Sequence, residues 1–222
     1  MTLRRARAPD FQNLFSSSSR PILFLLSGGS AFDLLEEIDT ENFGRHITIG
    51  VLDERFSTDP KVNNFAQLTA TEFYRRAKEK GVQFIDTRIK EGETLEGLAE
   101  GFEKALRDWK EKNPDGIVVI TQGIGTDGHT AGIMPHSENP EMFDDSKKWV
   151  LGYDAEEKLQ HPLRVTVTFP FLRNIVDHSI VYTKGKGKKE IVEKIMAKQG
   201  SLVQIPALII HEMKDVKIIT DL

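Results

Sequence analysis

Residues 117–135 read IVVITQGIGTDGHTAGIMP. The first five, Ile117–Thr121, are all β-branched, and such side chains suit a pleated, packed surface. A short apolar run of this kind, preceded by the turn residues Pro114, Asp115 and Gly116 and followed by glycines, predicts a buried strand. The loop after it holds Gly123, Gly125 and Gly128, which allow unusual backbone angles and bracket Asp127 and His129. A strand running straight into a glycine-rich polar loop fits an open α/β sheet, in which ligands lie beyond the carboxyl ends of the strands.

The flanking sequence repeats the alternation. Upstream, Leu95, Leu98, Ala99, Phe102, Leu106 and Trp109 recur at helical spacing and predict a helix from Thr94 to about Lys112. Ile22–Leu26 is a compact apolar run ended by Gly28 and Gly29, so it reads as a strand, with a helix starting at Ser30 and carrying Leu34, Leu35 and Ile38 on one face. Ile47–Leu52 is the next strand. Asn63 to about Lys80 reads as one helix stopped by Gly81, and Gln83–Ile85 as a short strand. Downstream, Arg164–Phe169 alternates as a strand does, and Ser179–Thr183 is another. Lys188 to Gln199 is helical, with Ile191, Val192, Ile195 and Met196 inward and Gly200 as its stop, and Val216–Ile219 is a late strand. Strands alternating with helices predict right-handed βαβ units and the α/β class: a three-layer, doubly wound, mainly parallel sheet with helices on both faces. No repeat or composition shift divides the chain. It reads as a single domain over residues 1–222, with residues 1–20 a poorly ordered lead-in and Ser16–Ser19 a flexible loop.

Composition narrows the function. The chain has 222 residues, 39% hydrophobic and 29% charged, which places it with globular rather than disordered chains. Its net charge of −4 carries no basic excess, so neither nucleic acid nor an anionic membrane surface is expected as a partner. Cysteine is absent, which excludes disulfides and thiolate metal sites and fits a reducing cytoplasm. Ile22–Leu26, the longest apolar run near the N-terminus, is too short to cross a bilayer, and Arg4, Arg5 and Arg7 read as a solvated terminus. The expected partner is a small molecule, and the expected state a monomer or homodimer.

Three polar segments sit at strand ends. Ser27-Gly28-Gly29-Ser30 reads equally as a phosphate-binding turn or as a tight strand-to-helix turn with Ser30 as its cap. Asp53-Glu54-Arg55 follows the strand Ile47–Leu52. Taken alone it reads first as solvated loop, and otherwise as a site in which Arg55 holds an anionic or carbonyl oxygen. The third segment holds Asp127 and His129, a carboxylate and an imidazole two residues apart, suited to general-base chemistry with the carboxylate orienting the ring. Two basic positions, Arg164 at a strand start and Lys188 at a helix start, add a fork and a point charge for a phosphate. His129 and His136 lack acidic co-ligands at metal spacing, so no metal site is expected.

These segments, in this order, resemble the 6-phosphogluconolactonase and glucosamine-6-phosphate deaminase superfamily. Residues 123–131, GIGTDGHTA, are the most specific part, and the segments at Ser27–Ser30, Asp53–Arg55, Arg164–Thr168 and Gly185 to Lys188 look like its other hallmarks. Thr130, Ala131, Ile133, Met134 and Pro135 after the histidine are closer to the lactonases than to the deaminases, whose corresponding run supplies a glutamate. Ala31 and Phe32 depart from the usual Thr-Pro, and Gly132 stands where a serine is usual. The resemblance implies hydrolysis of 6-phosphogluconolactone in the pentose phosphate pathway without metal or organic cofactor. For that reaction the residues suggest His129 as base, Asp127 as its orienter and Arg55, the N–H groups near Gly28 and Gly29, or both as oxyanion ligands, with Ser27, Gly28, Gly29, Ser30, Asp53, Arg164 and Lys188 around the substrate. Two other readings remain at this point: a deaminase-isomerase with Asp53 as its base, and a non-catalytic protein that binds a sugar phosphate.

Overall fold

The computed structural model describes residues 2–3, 15, 20–135, 139–155 and 159–221. The strands are β1 (Thr2–Leu3), β2 (Ile22–Leu26), β3 (Ile47–Val51), β4 (Asp53–Arg55), β5 (Gln83–Phe84), β6 (Ile117–Gly123), β7 (Val150–Asp154), β8 (Leu163–Val167), β9 (His178–Thr183) and β10 (Val216–Thr220). The α-helices are α1 (Asn64–Thr69), α2 (Glu72–Glu79), α3 (Leu95–Lys112) and α4 (Lys189–Met196).

Seven strands form one sheet in the order β1-β10-β9-β6-β2-β3-β5, with every neighbouring pair parallel. A parallel strand covered on both faces is largely apolar, and every residue of β2 and of β3 is buried. Leu23, Leu25, Val118 and Ile120 face a layer built from α3, α4, the 3-10 turn Pro206–His211 and a small second sheet. Phe24, Leu26 and Val119 face the opposite layer of α1, α2, Phe15 and the segment Gly29–Glu37. The expected three-layer, doubly wound architecture is therefore present.

Several elements differ from expectation. The helix expected from Ser30 is a 3-10 helix over Gly29–Glu37, and its cap position is Gly28, which offers no side chain. Glu36 and Glu37 stand in its last turn, where they oppose a helix dipole. Leu34, Leu35 and Ile38 are nevertheless buried as the pattern required. The single helix expected over Asn63–Lys80 is two helices, because the Thr71 hydroxyl accepts from Tyr74 N and starts α2 afresh. Gly81 does end it, with φ of +81°. The helix expected over Lys188–Gln199 stops at Met196, and Lys198 takes the left-handed conformation.

The largest correction concerns the second sheet. Arg164–Phe169 reads as one more strand of a mainly parallel fold; β8 instead pairs antiparallel with β4 and β7 in a separate three-stranded sheet that the sequence did not announce. Asp53-Glu54-Arg55, read first as solvated loop, is the edge strand β4, with Asp53 and Glu54 buried. Thr2–Leu3 pairs with β10. Arg4, Arg5, Arg7, Ser16–Ser19 and His136 lie outside the described residues.

Candidate active site

From β2 the chain moves outward to β3 and β5, then returns to β6 on the other side of β2. The carboxyl ends of β2 and β6 are therefore a topological switch point, where the loops leaving two neighbouring strands open a crevice. Ser27, just past β2, donates its N–H to Thr121 Oγ1 of β6 at 3.0 Å, which ties the two loop bases together. The crevice is a cavity of about 330 Å³. Ser27, Gly28, Gly29, Asp53, Arg55, His129, Arg164 and Lys188 line it, with Gly125, Gly132, Met134 and Asn64 among the others. Asp127 stands behind His129, and the side chain of Ser30 lies outside the described atoms.

The Asp127 carboxylate accepts twice from His129: from ring Nδ1 at 2.6 Å and from the backbone N–H at 3.1 Å. Asp127 loses solvation here, but its bonds to His129 outweigh that loss and hold the carboxyl below the usual aspartate range. With Nδ1–H committed to Asp127, Nε2 keeps its lone pair. The loop closes on itself through Gly125 N–H to His129 O and Gly128 N–H to Gly125 O, at 2.9 and 3.0 Å. Gly128 has φ of +90°. A Cβ on Gly125 would come within 2.2 Å of the His129 ring, so glycine there permits the close approach.

Asp53 and Arg55 lie on one face of β4 and Glu54 on the other. Glu54 is wholly buried, and its carboxylate accepts from four donors. These are the N–H groups of Arg55, Asn64 and Phe65, at 2.7, 2.5 and 2.9 Å, and the Thr87 hydroxyl at 2.9 Å. Burial pushes this carboxyl up to about 7 against those bonds. Burial also raises Asp53, while Arg164, Arg55 and His129 draw it back. Arg55 and Arg164 are direct cross-strand partners on β4 and β8. Like charges so placed repel, and the buried Nε of each has no hydrogen-bond partner among the described residues. Lys188 completes the basic rim, its ammonium held below the usual lysine range by burial.

Several site residues escaped the sequence. Asn64, buried against the cavity, donates Nδ2 to Asp53 O at 3.0 Å, and its side chain occupies the space a Cβ on Gly28 would need. Only its position at a helix start was visible. Tyr153 donates its hydroxyl to Gly132 O at 2.5 Å, and Thr166 donates to Ala131 O, so the small sheet holds the segment after His129. Gly132 has φ of +71°, and a Cβ there would meet Asp53 at 2.7 Å, which gives its replacement of a serine a steric consequence. Among the described residues no group of three or more His, Asp or Glu is arranged to hold a metal ion, and no helix is long and apolar enough to cross a membrane.

The family described as glucosamine-6-phosphate isomerases/6-phosphogluconolactonase matches residues 11–219. No curated protein sequence matches the chain significantly. Among solved structures, the chain is similar to 6-phosphogluconolactonase from Trypanosoma brucei, with a TM-score of 0.75 at 20% identity over 96% of this chain and 89% of that one. It is also similar to the enzyme from Thermotoga maritima, with a TM-score of 0.72 at 21% identity over 96% and 90% of the two chains. The one from Shewanella baltica gives a TM-score of 0.74 at 18% identity over 96% and 88%. At these identities the likeness establishes the fold.

Proposed function

The chain belongs to the family of glucosamine-6-phosphate isomerases and 6-phosphogluconolactonases, and from that premise we propose that it hydrolyses 6-phosphogluconolactone to 6-phosphogluconate. The observation that carries the reading is one cavity lined by both a base and cations. Its wall holds an imidazole backed by a carboxylate. The same wall holds two opposed arginines, whose buried Nε atoms have no partner among the described residues, and a half-buried lysine. A lactone that bears a phosphate needs a base at its carbonyl and cations at its tail.

In this mechanism His129 Nε2 takes the proton of a water as that water attacks the lactone carbonyl. Asp127 keeps the ring in its tautomer and stabilises the imidazolium. Arg55 and the backbone N–H groups near Gly28 and Gly29 receive the charge that develops on the carbonyl oxygen. The imidazolium then returns its proton to the ring oxygen as the C–O bond breaks. Arg164 and Lys188, with Ser30, bind the phosphate, and that binding holds the carbonyl against the water. Neither a metal nor an organic cofactor enters these steps.

One feature favours a second reading: Asp53 lines the same cavity, and burial raises its carboxyl toward the range of a useful base. A deaminase-isomerase would use it to move a proton between carbons of glucosamine 6-phosphate. A direct assay separates the two. The expected result is lactone hydrolysis faster than the spontaneous rate, with no ammonia released from the amino sugar. The His129→Ala variant should lose about 10²–10⁴-fold in kcat while keeping its fold. Ammonia release without lactone turnover would replace this proposal with the isomerase, and phosphate binding without either activity would leave a binding protein.

A further inference from the structure

Gln122 is wholly buried near the end of β6, on the face that carries Val118 and Ile120 into an apolar layer. An amide in such a layer is costly unless both of its ends are bonded. Here both are. Nε2 donates to Ser179 Oγ of β9 at 2.7 Å and lies 3.4 Å from Met213 Sδ, and Oε1 accepts from Thr130 Oγ1 at 2.9 Å. The Thr130 side chain is wholly buried too, and its hydroxyl also lies 2.8 Å from Gly123 O. Thr130 is the residue after His129. The glycine-rich loop is thus clasped at its base: it leaves the sheet at Gly123 and is fastened back at Thr130, with Gln122 as the post.

We propose that Gln122 is a positioning residue for His129, acting through the Thr130 hydroxyl. Asp127 fixes the rotation of the ring, but it lies in the same loop and moves with it. Beside the Thr130 contact with Gly123 O, the bond from Thr130 to Gln122 ties that loop to β6 and, through Ser179, to β9. Packing alone would be served by an aliphatic side chain at position 122, as at 118 and 120. The amide adds a directional hold on the backbone next to the base.

The kinetic arm of the test rests on the lactonase reading; a spectroscopic arm does not. Thr130→Val is nearly isosteric and removes only the hydroxyl, and Gln122→Leu removes the post. Both should lower kcat by about 10–100-fold, as expected when a base is misplaced by an ångström or less. KM and the affinity for inorganic phosphate should stay within about two-fold, because the cations belong to other elements. Thr130→Ser, which keeps the hydroxyl, should restore most of kcat. Independently of turnover, the His129 Hε1 proton resonance should be single in the wild type and the Ser variant, and shifted or multiple in Thr130→Val. Wild-type kcat in both lesions, failure of serine to rescue, or an unchanged His129 resonance would each overturn the proposal. A wild-type protein that leaves the lactone untouched would remove the proposed function while the resonance still decides this one.

Discussion

The distance from Gly125 to the His129 ring makes a sharp statement about one residue. A methyl group on Gly125 would sit 2.2 Å from ring Nδ1 and Cε1 and 2.5 Å from Asp127 Oδ1. The ring as it stands cannot keep its bond to Asp127 with that methyl in place. Gly125→Ala should therefore lower kcat by about 100-fold. The backbone at Gly125 is outside the left-handed region and the loop is half-exposed, so the midpoint of thermal unfolding should move by less than about 3 °C. A variant with full activity would mean that the ring does not work from this position. Asp127 and His129 were legible because glycines crowd about them in sequence. Gln122 and Asn64 were not, because what each does depends on partners brought near by folding: Thr130 and Ser179 for Gln122, and the Asp53 carbonyl for Asn64.

Strand β4 shows why the second sheet was hidden. Three residues are too few for a pattern, all three are charged, and alternation in Arg164–Val167 is the same whether a strand joins a parallel or an antiparallel sheet. The helix pair α1 and α2 was hidden for a related reason: one apolar face runs through both, and only the capping role of Thr71 divides them. The main strands β2, β3, β6 and β9 were legible because burial on both faces leaves continuous apolar runs. What β4 does is concentrated in Glu54, which fastens the strand to the start of α1 and to Thr87. Burial holds its carboxyl at about 7 in the folded chain, above the ordinary glutamate value of 4.5. A raised carboxyl contributes stability that is complete below about 4.5 and is lost as pH rises through about 7. The shift corresponds to on the order of 3 kcal/mol. Glu54→Gln lacks this titration, so the stability of the wild type relative to the variant should fall by an amount of that order between pH 5 and pH 8. Urea unfolding at the two pH values measures it, and a difference that does not change with pH would contradict the assignment.

At the scale of the molecule, the cavity is where separate parts of the fold meet. Gly28 comes from the turn that follows β2 of the parallel sheet, Arg55 and Arg164 from the antiparallel one, and Lys188 from the turn before α4. A chain with net charge −4 thus gathers cations at one seam, where the opposed arginines repel each other. An anion held by Arg164 and Lys188 would offset that repulsion and tie the small sheet to α4, so its binding should register as global stability. Inorganic phosphate at ten times its dissociation constant adds RT ln 11, about 1.4 kcal/mol. For a chain of this size that raises the unfolding midpoint by about 3–5 °C. Potassium chloride at matched ionic strength should not reproduce the rise. Arg164→Met should lose it whatever its own midpoint, because one of the two cross-strand guanidinium groups is gone. An equal rise in Arg164→Met and wild type would place the phosphate elsewhere on the surface and detach the basic seam from the substrate.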